Sequence, residues 1–257
     1  MIPKVIHYCW FGRNPLPPLA QECIASWKKY LPDYEIREWN EDNFDVNAIP
    51  YTAEAYQQKK YAFVSDYARF CILHQYGGLY FDTDVEIIRP LDDIIEKGNF
   101  IGFEADPDGK NTPGYYAPRF CYAVAPGLGM GIEKGHSLMK QMRVLYGGLV
   151  FDGGQMSPWL KTVVAYMTEA LVQEGLQNIK GIQQVGDILV YPQEYFAPIN
   201  VITGRLHITE NTRTIHHYTG SWHNHHVLSL KDRLRQLIPE WLLLLNNKIK
   251  RQRYRVK

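Results

Sequence analysis

Asp82 and Asp84 stand at i and i+2 in YGGLYFDTDVEIIRP (76–90), directly behind the apolar triplet Leu79-Tyr80-Phe81. Two aspartates so spaced in an extended segment point to one side. Their charges repel, so a cation is expected between them, and carboxylate oxygens suit a hard divalent ion, Mn2+ or Mg2+. A second pair, Asp66 and Arg69 in SDYARF (65–70), shares one helical face. It is either a silent intrahelical ion pair or part of the same site. In TIHHYTGSWHNHH (214–226) a single imidazole could complete a metal shell begun by the two carboxylates. A zinc cluster of His223, His225 and His226 is the alternative there, but no cysteine lies nearby and the spacing fits no usual zinc pattern. Trp10, at the end of the first apolar run, is either a core residue or a flat platform on which a nucleotide base stacks.

The elements that must position these residues follow from periodicity and breakers. Strands are expected over 4–12, 34–39, the LYFD segment, 99–104, 120–125, 187–192 and 214–218. Helices are expected over 19–32, over 52–78 as one long element ended by Gly77-Gly78, over 137–148, and over 157–176 opened by Ser157-Pro158. Alternating strands and helices argue for an α/β domain with a largely parallel sheet. In such sheets ligands bind beyond the carboxyl ends of the strands, where Asp82 and Asp84 fall.

The chain of 257 residues is long enough for one well-packed domain, and its 46% hydrophobic and 21% charged residues are those of a globular protein. Cys9, Cys23, Cys71 and Cys121 show no paired spacing, which suggests reduced thiols and a cytoplasmic setting. The segment IPKVIHYCWFG already reads as a strand, so no apolar leader is expected ahead of the fold. No apolar run approaches the 18 residues of a membrane span.

The net charge of +1 hides an asymmetry: residues 231–257 hold nine Lys/Arg against two Asp/Glu, and the other 230 residues hold 19 against 25. The expected division is therefore a domain over 1–230 and a basic, amphipathic tail over 231–257. In that tail Leu234, Leu237, Ile238, Trp241, Leu242 and Leu245 would share a helical face, with Pro239 as a break or kink. Either this stripe packs onto the body and the last ten residues are a solvated tail, or the apolar and basic residues make peripheral contact with an anionic membrane surface, at its inner face.

IPKVIHYCWFG, SWKKYLPDYEIREWN, YAFVSDYARFCILHQYGGLYFDTDVEIIRPLD, FIGFE and HHYTGSW together resemble glycosyltransferase family 32, whose members are DXD-type sugar transferases. The resemblance spans about residues 1–225, and 62–90 is its most specific part. It implies a GT-A fold, a nucleotide-sugar donor, a Mn2+ or Mg2+ ion, a saccharide or lipid-linked glycan acceptor and retention of configuration, with no nucleic-acid partner. By its motifs Asp82 and Asp84 look like the metal and diphosphate pair, with His217 as third ligand and His216 as its substitute one residue away. Asp66 and Arg69 look like the pair that orients the donor sugar. Together with Asp84 they are the expected catalytic residues. Trp10, Tyr80, Asp82, Ser221 and Trp222 look like donor-site residues. The segment 151–159 resembles an acceptor-side loop and leaves a part for Asp152 or Gln155 open.

Two other classes fit single features. LYFDTDV matches the nucleophile motif of haloacid-dehalogenase phosphohydrolases, although there it sits near the N-terminus, and here some 80 residues precede it. A non-catalytic sugar-binding module would bind saccharide without nucleotide.

Overall fold

The computed structural model describes residues 1–107, 122–153, 162–219 and 238–255. Strand β1 (Val5–Cys9) is buried at every position, and helix α1 (Pro18–Tyr30) opens on a proline that needs no amide partner in the first turn. Strand β2 (Glu35–Trp39) follows and pairs with β1 in parallel.

The expected long helix over 52–78 is two helices, α2 (Pro50–Gln57) and α3 (Tyr61–Tyr76). Lys59 breaks them apart at φ 58°. The stretch Gln57-Gln58-Lys59-Lys60 has no apolar side chain to hold another turn onto the core.

Strand β3 (Gly78–Tyr80) lies between β1, parallel to it, and β7 (Met130–Ile132), antiparallel to it. Gly77, at φ 67°, makes the turn into β3 in a backbone region that disfavours other residues. After β3 the chain turns at Asp82–Asp84 into β4 (Val85–Ile87), which pairs with β10 (Thr214–His216). The two aspartates thus lie on a turn, not on the extended segment expected.

The remaining elements are α4 (Asp92–Ile95), β5 (Phe100–Ala105), β6 (Ala123–Ala125), α5 (Ser137–Gly147), α6 (Val163–Gln173), β8 (Gln183–Val185), β9 (Ile188–Tyr191), α7 (Gln193–Phe196) and α8 (Glu240–Arg255). Helix α6 opens at Thr162, whose hydroxyl accepts from the Ala165 amide, so Ser157-Pro158, outside the described residues, is not its cap.

Among the described residues the main sheet runs β2-β1-β3-β7-β5-β9-β8, with β6 on β5. Strands β2, β1, β3, β5 and β9 point one way and β6, β7 and β8 the other, a mixed and largely parallel sheet. Apolar side chains fill both faces. One cluster joins the sheet to α2, α3, α5 and α6, and the other joins it to α1, α4 and α7. This is the α/β architecture expected from the alternation of elements.

Candidate active site

Helix α3 buries Val64, Tyr67, Ala68 and Phe70 against the sheet, and Arg69 goes down with them at 3% exposure. A buried guanidinium needs partners. Its Nε donates to the Ser65 carbonyl at 3.1 Å and its Nη2 to Asp66 Oδ1 at 2.8 Å. The same Nη2 lies 3.4 Å from Asp82 Oδ1. Arg69 therefore bridges α3 to the turn after β3, and the helix pair is more than an intrahelical contact. The guanidinium also sits 4.8 Å from the Tyr80 ring centroid, in cation–π range. The Arg69 Nη1 is covered and has no hydrogen-bond partner.

Tyr80, expected to line the donor site, is 1% exposed and donates its hydroxyl to Asp82 Oδ1 at 3.1 Å. It reaches the site through Asp82 rather than as an open wall. Burial pushes the Asp66 carboxyl up, Arg69 pulls it down, and the charge of Asp82 adds to the rise.

Asp84 faces a different set. Its Oδ1 is 3.0 Å from His216 Nε2, and its Oδ2 accepts from the amide and the hydroxyl of Thr219, each at 2.9 Å. Burial opposes the charged form, but His216 and Thr219 outweigh it and hold this carboxyl well below the usual range. Burial, the largest single cause, pushes His216 down, but the charge and hydrogen bond of Asp84, with the charges of Asp82 and Glu104, raise it overall.

His217, the expected third ligand, gives only its backbone amide to the Asp84 carbonyl, at 3.0 Å, and its ring pairs with Glu86 at 3.0 Å. The imidazole at Asp84 is His216. The reason is the antiparallel register of His216 with Val85, which sends alternate side chains to opposite faces.

Trp10 follows β1, the strand next to β3, with its Nε1 donating to the Asn14 carbonyl at 2.7 Å and one side against the cluster of Tyr8, Trp27 and Phe81. Asp152 is exposed after Phe151. Ser221, Trp222, Gln155 and the histidines at 223, 225 and 226 lie outside the described residues. Among the described residues no group of three His, Cys, Asp or Glu side chains stands close enough to hold a metal ion alone.

Two contributors went unread in the sequence. Gly127 backs the site: its carbonyl accepts from the Asp82 amide at 3.0 Å, and a Cβ there would come 1.9 Å from Asp82 Oδ2. Only glycine leaves room for that carboxylate. The signal was Pro126-Gly127, which reads as turn chemistry and nothing more. Thr219 sits in HHYTG beside the histidines, and only its fold-dependent reach to Asp84 marks it.

Residues 17–101 match the family described as a glycosyltransferase sugar-binding region containing a DXD motif. That stretch carries α3, Arg69 and both aspartates. Over this region the chain is similar to the DXD-motif glycosyltransferases. The mixed sheet between two helical layers agrees with the GT-A fold that the family implies.

The initiation-specific alpha-1,6-mannosyltransferase of Candida albicans is 24% identical over 281 residues, covering 86% of this chain and 72% of that protein. Inositol phosphoceramide mannosyltransferase 1 of Schizosaccharomyces pombe is 27% identical over 127 residues, or 45% of this chain and 38% of its own length. Inositol phosphoceramide mannosyltransferase 3 of the same yeast is 33% identical over 98 residues, 37% of this chain and 27% of its own. Among solved structures the PaToxG glycosyltransferase overlaps 68% of this chain and 70% of its own at TM-score 0.47 and 20% identity. The galactosyltransferase LgtC overlaps 92% and 98% at TM-score 0.40 and 16% identity.

Proposed function

We propose that this glycosyltransferase moves a hexose or N-acetylhexosamine from a nucleotide sugar to a saccharide or lipid-linked glycan acceptor, with retention of configuration and with Mn2+ or Mg2+ as cofactor. The product would belong to a surface polysaccharide. The observation that carries the reading is the Asp66–Arg69–Asp82 bridge at the carboxyl end of β3, with Asp84 on the same turn. A UDP-sugar is the favoured donor, and the mannosyltransferase names of the relatives support keeping GDP-mannose beside it.

The donor set suits a hard cation. Asp82 is accessible at 32% side-chain exposure, and Asp84 is held ionised beside it. Such ions take one or two carboxylates and complete their shell with water and substrate phosphates, so an all-protein cage is unnecessary. Asp82 and Asp84 would hold it, and once bound it would neutralise charge on the diphosphate.

The chain's own residues do the rest. As the bond from C1 of the sugar to the diphosphate breaks, the electron pair leaves with the diphosphate, and the acceptor oxygen bonds to C1. The acceptor's proton leaves with the diphosphate. Arg69 places a fixed positive charge beside Asp82, where that negative charge develops. Asp66, hydrogen-bonded to Arg69, would hold sugar hydroxyls and favour positive charge on the ring. Trp10 would stack the base, with Ser221 and Trp222 closing over the diphosphate. The basic C-terminal helix would keep the enzyme at an anionic membrane surface. A domain over 1–230 and a separate tail belong to this same proposal.

The test is slow hydrolysis of nucleotide sugars, which needs no acceptor. With Mn2+ the enzyme should hydrolyse one donor from a panel that includes GDP-mannose and UDP-hexoses. Asp82→Asn should lower the rate by about 10²–10³-fold, the usual loss for a positioned electrostatic group. Undiminished turnover in EDTA or in Asp82→Asn, or no turnover of any donor, would sink the reading.

A further inference from the structure

The far end of α3 and the entry to α5 border an open hollow of ≈ 470 Å³ lined by Cys71, His74, Gln75, Lys134, Gly135 and Arg143. It is not the site at Asp82. His74 stands five residues beyond Arg69, roughly 7.5 Å further along the helix axis. It lies toward Gly77-Gly78, where β3 begins, whereas Asp82 follows the end of that strand.

Among the described residues no carboxylate lines this hollow. Lys134 and Arg143 supply two positive charges; burial first, and then the charges of Arg143 and Lys140, favour the neutral form of His74. Neighbouring acids are engaged elsewhere: Glu133 pairs with the N-terminal ammonium, and Asp187 with His136.

The hydrogen bonds fix what the hollow offers. Arg143 Nη1 lies 2.9 Å from His74 Nδ1. A guanidinium cannot accept, so Nδ1 of His74 is the acceptor and the neutral ring carries its proton on Nε2 as a further donor. Arg143, also held by Tyr67 and Cys71, adds its fixed positive charge, and the ammonium of Lys134 is a point charge suited to the same anion. The positive end of α5, which starts two residues after Gly135, adds to the field.

We propose that this hollow binds a phosphate- or diphosphate-bearing anion at a site separate from the one that handles the donor. The inference does not depend on the donor-site reading. The anion comes either from a free solute or from a lipid headgroup, and the two sources share the chemistry that Lys134 and Arg143 recognise.

The test is calorimetric titration of the full chain in EDTA with two probes, inorganic pyrophosphate and dihexanoyl phosphatidic acid below its micelle concentration. Saturable binding is expected for at least one probe. Lys134→Glu, an exposed position, and Arg143→Gln should each weaken it by about tenfold or more, the scale for losing a charged hydrogen-bond partner. Donor hydrolysis with Mn2+ should stay unchanged in Lys134→Glu, and its melting temperature should hold. Tighter binding of the lipid assigns the site to a headgroup, and tighter binding of pyrophosphate to a solute. Absence of saturable binding, or equal binding by the wild type and Lys134→Glu, would overturn the proposal.

Discussion

At His7 both ring nitrogens are committed: Nδ1 accepts from the Trp39 indole at 3.0 Å, and Nε2 donates to the Gly77 carbonyl at 2.9 Å. A second proton would have to enter at Nδ1, facing an N–H. Burial, the largest cause, drives the pKa of this ring from 6.5 to about 4, with the Gly77 bond working the other way. A base with a depressed pKa stabilises the fold above its unfolded value and loses that contribution as pH falls through the window. Between pH 6.5 and 4 the unfolded chain takes up a proton that the folded one refuses, a loss of about 3 kcal/mol at the bottom of the window. Gln at this position can donate to Gly77 and accept from Trp39 without titrating. The stability difference between wild type and His7→Gln, from denaturant melts, should therefore shift in favour of the variant as pH drops from 7.5 to 4. A pH-independent difference would show that His7 is protonated in the fold.

Among the elements, the antiparallel pairing of β4 with β10 decides which histidine serves the site. His216 faces Asp84, and His217 faces Glu86. If His216 holds Asp84 in place for a cation, His216→Ala should lower Mn2+ affinity by about 10–100-fold, the usual cost of losing an outer-shell partner. His217→Ala should have little effect. The reverse order, read by Mn2+ titration alongside donor hydrolysis, would return the role to His217.

The same pairing shows what was legible in the sequence. The pair S-D-x-x-R and D-x-D could be read because local spacing alone puts Asp66 beside Arg69 and both aspartates behind an apolar strand. That Arg69 reaches across to Asp82 depends on how α3 lies against β3, a contact between elements that no local pattern encodes. The choice between adjacent histidines depends on register with a strand some 130 residues earlier. Strands β4, β7 and β8, three residues each, are too short for periodicity to show. Gly127 escaped because its role is an absence, the space left for one carboxylate.

On the scale of the whole molecule, the C-terminal helix combines an exposed apolar stripe with a dense basic run. Helix α8 begins at Glu240, right after Pro239, so the proline precedes the first turn instead of kinking it. Leu234 and Leu237 lie outside the described residues. Glu240 ties the helix start to the body through Arg205 at 3.2 Å and His207 at 3.6 Å. Trp241, Leu242 and Leu245 on α8, and Ile238 just before it, remain exposed, Trp241 at 65%. No helix among the described residues is long and apolar enough to cross a membrane. An exposed apolar stripe followed by Lys248, Lys250, Arg251, Arg253, Arg255 and Lys257 suits a helix lying in an anionic interface. Each basic residue near such a surface contributes about 1 kcal/mol, and salt screens that share while leaving the apolar share in place. The full chain should therefore sediment with phosphatidylserine-containing vesicles at low salt and release in part at high salt. A chain ending at Asn246 keeps Trp241 and Leu245 but loses the basic run, and should bind weakly at either ionic strength. Equal, negligible binding of both chains would mean that neither the apolar stripe nor the basic run anchors the chain to lipid.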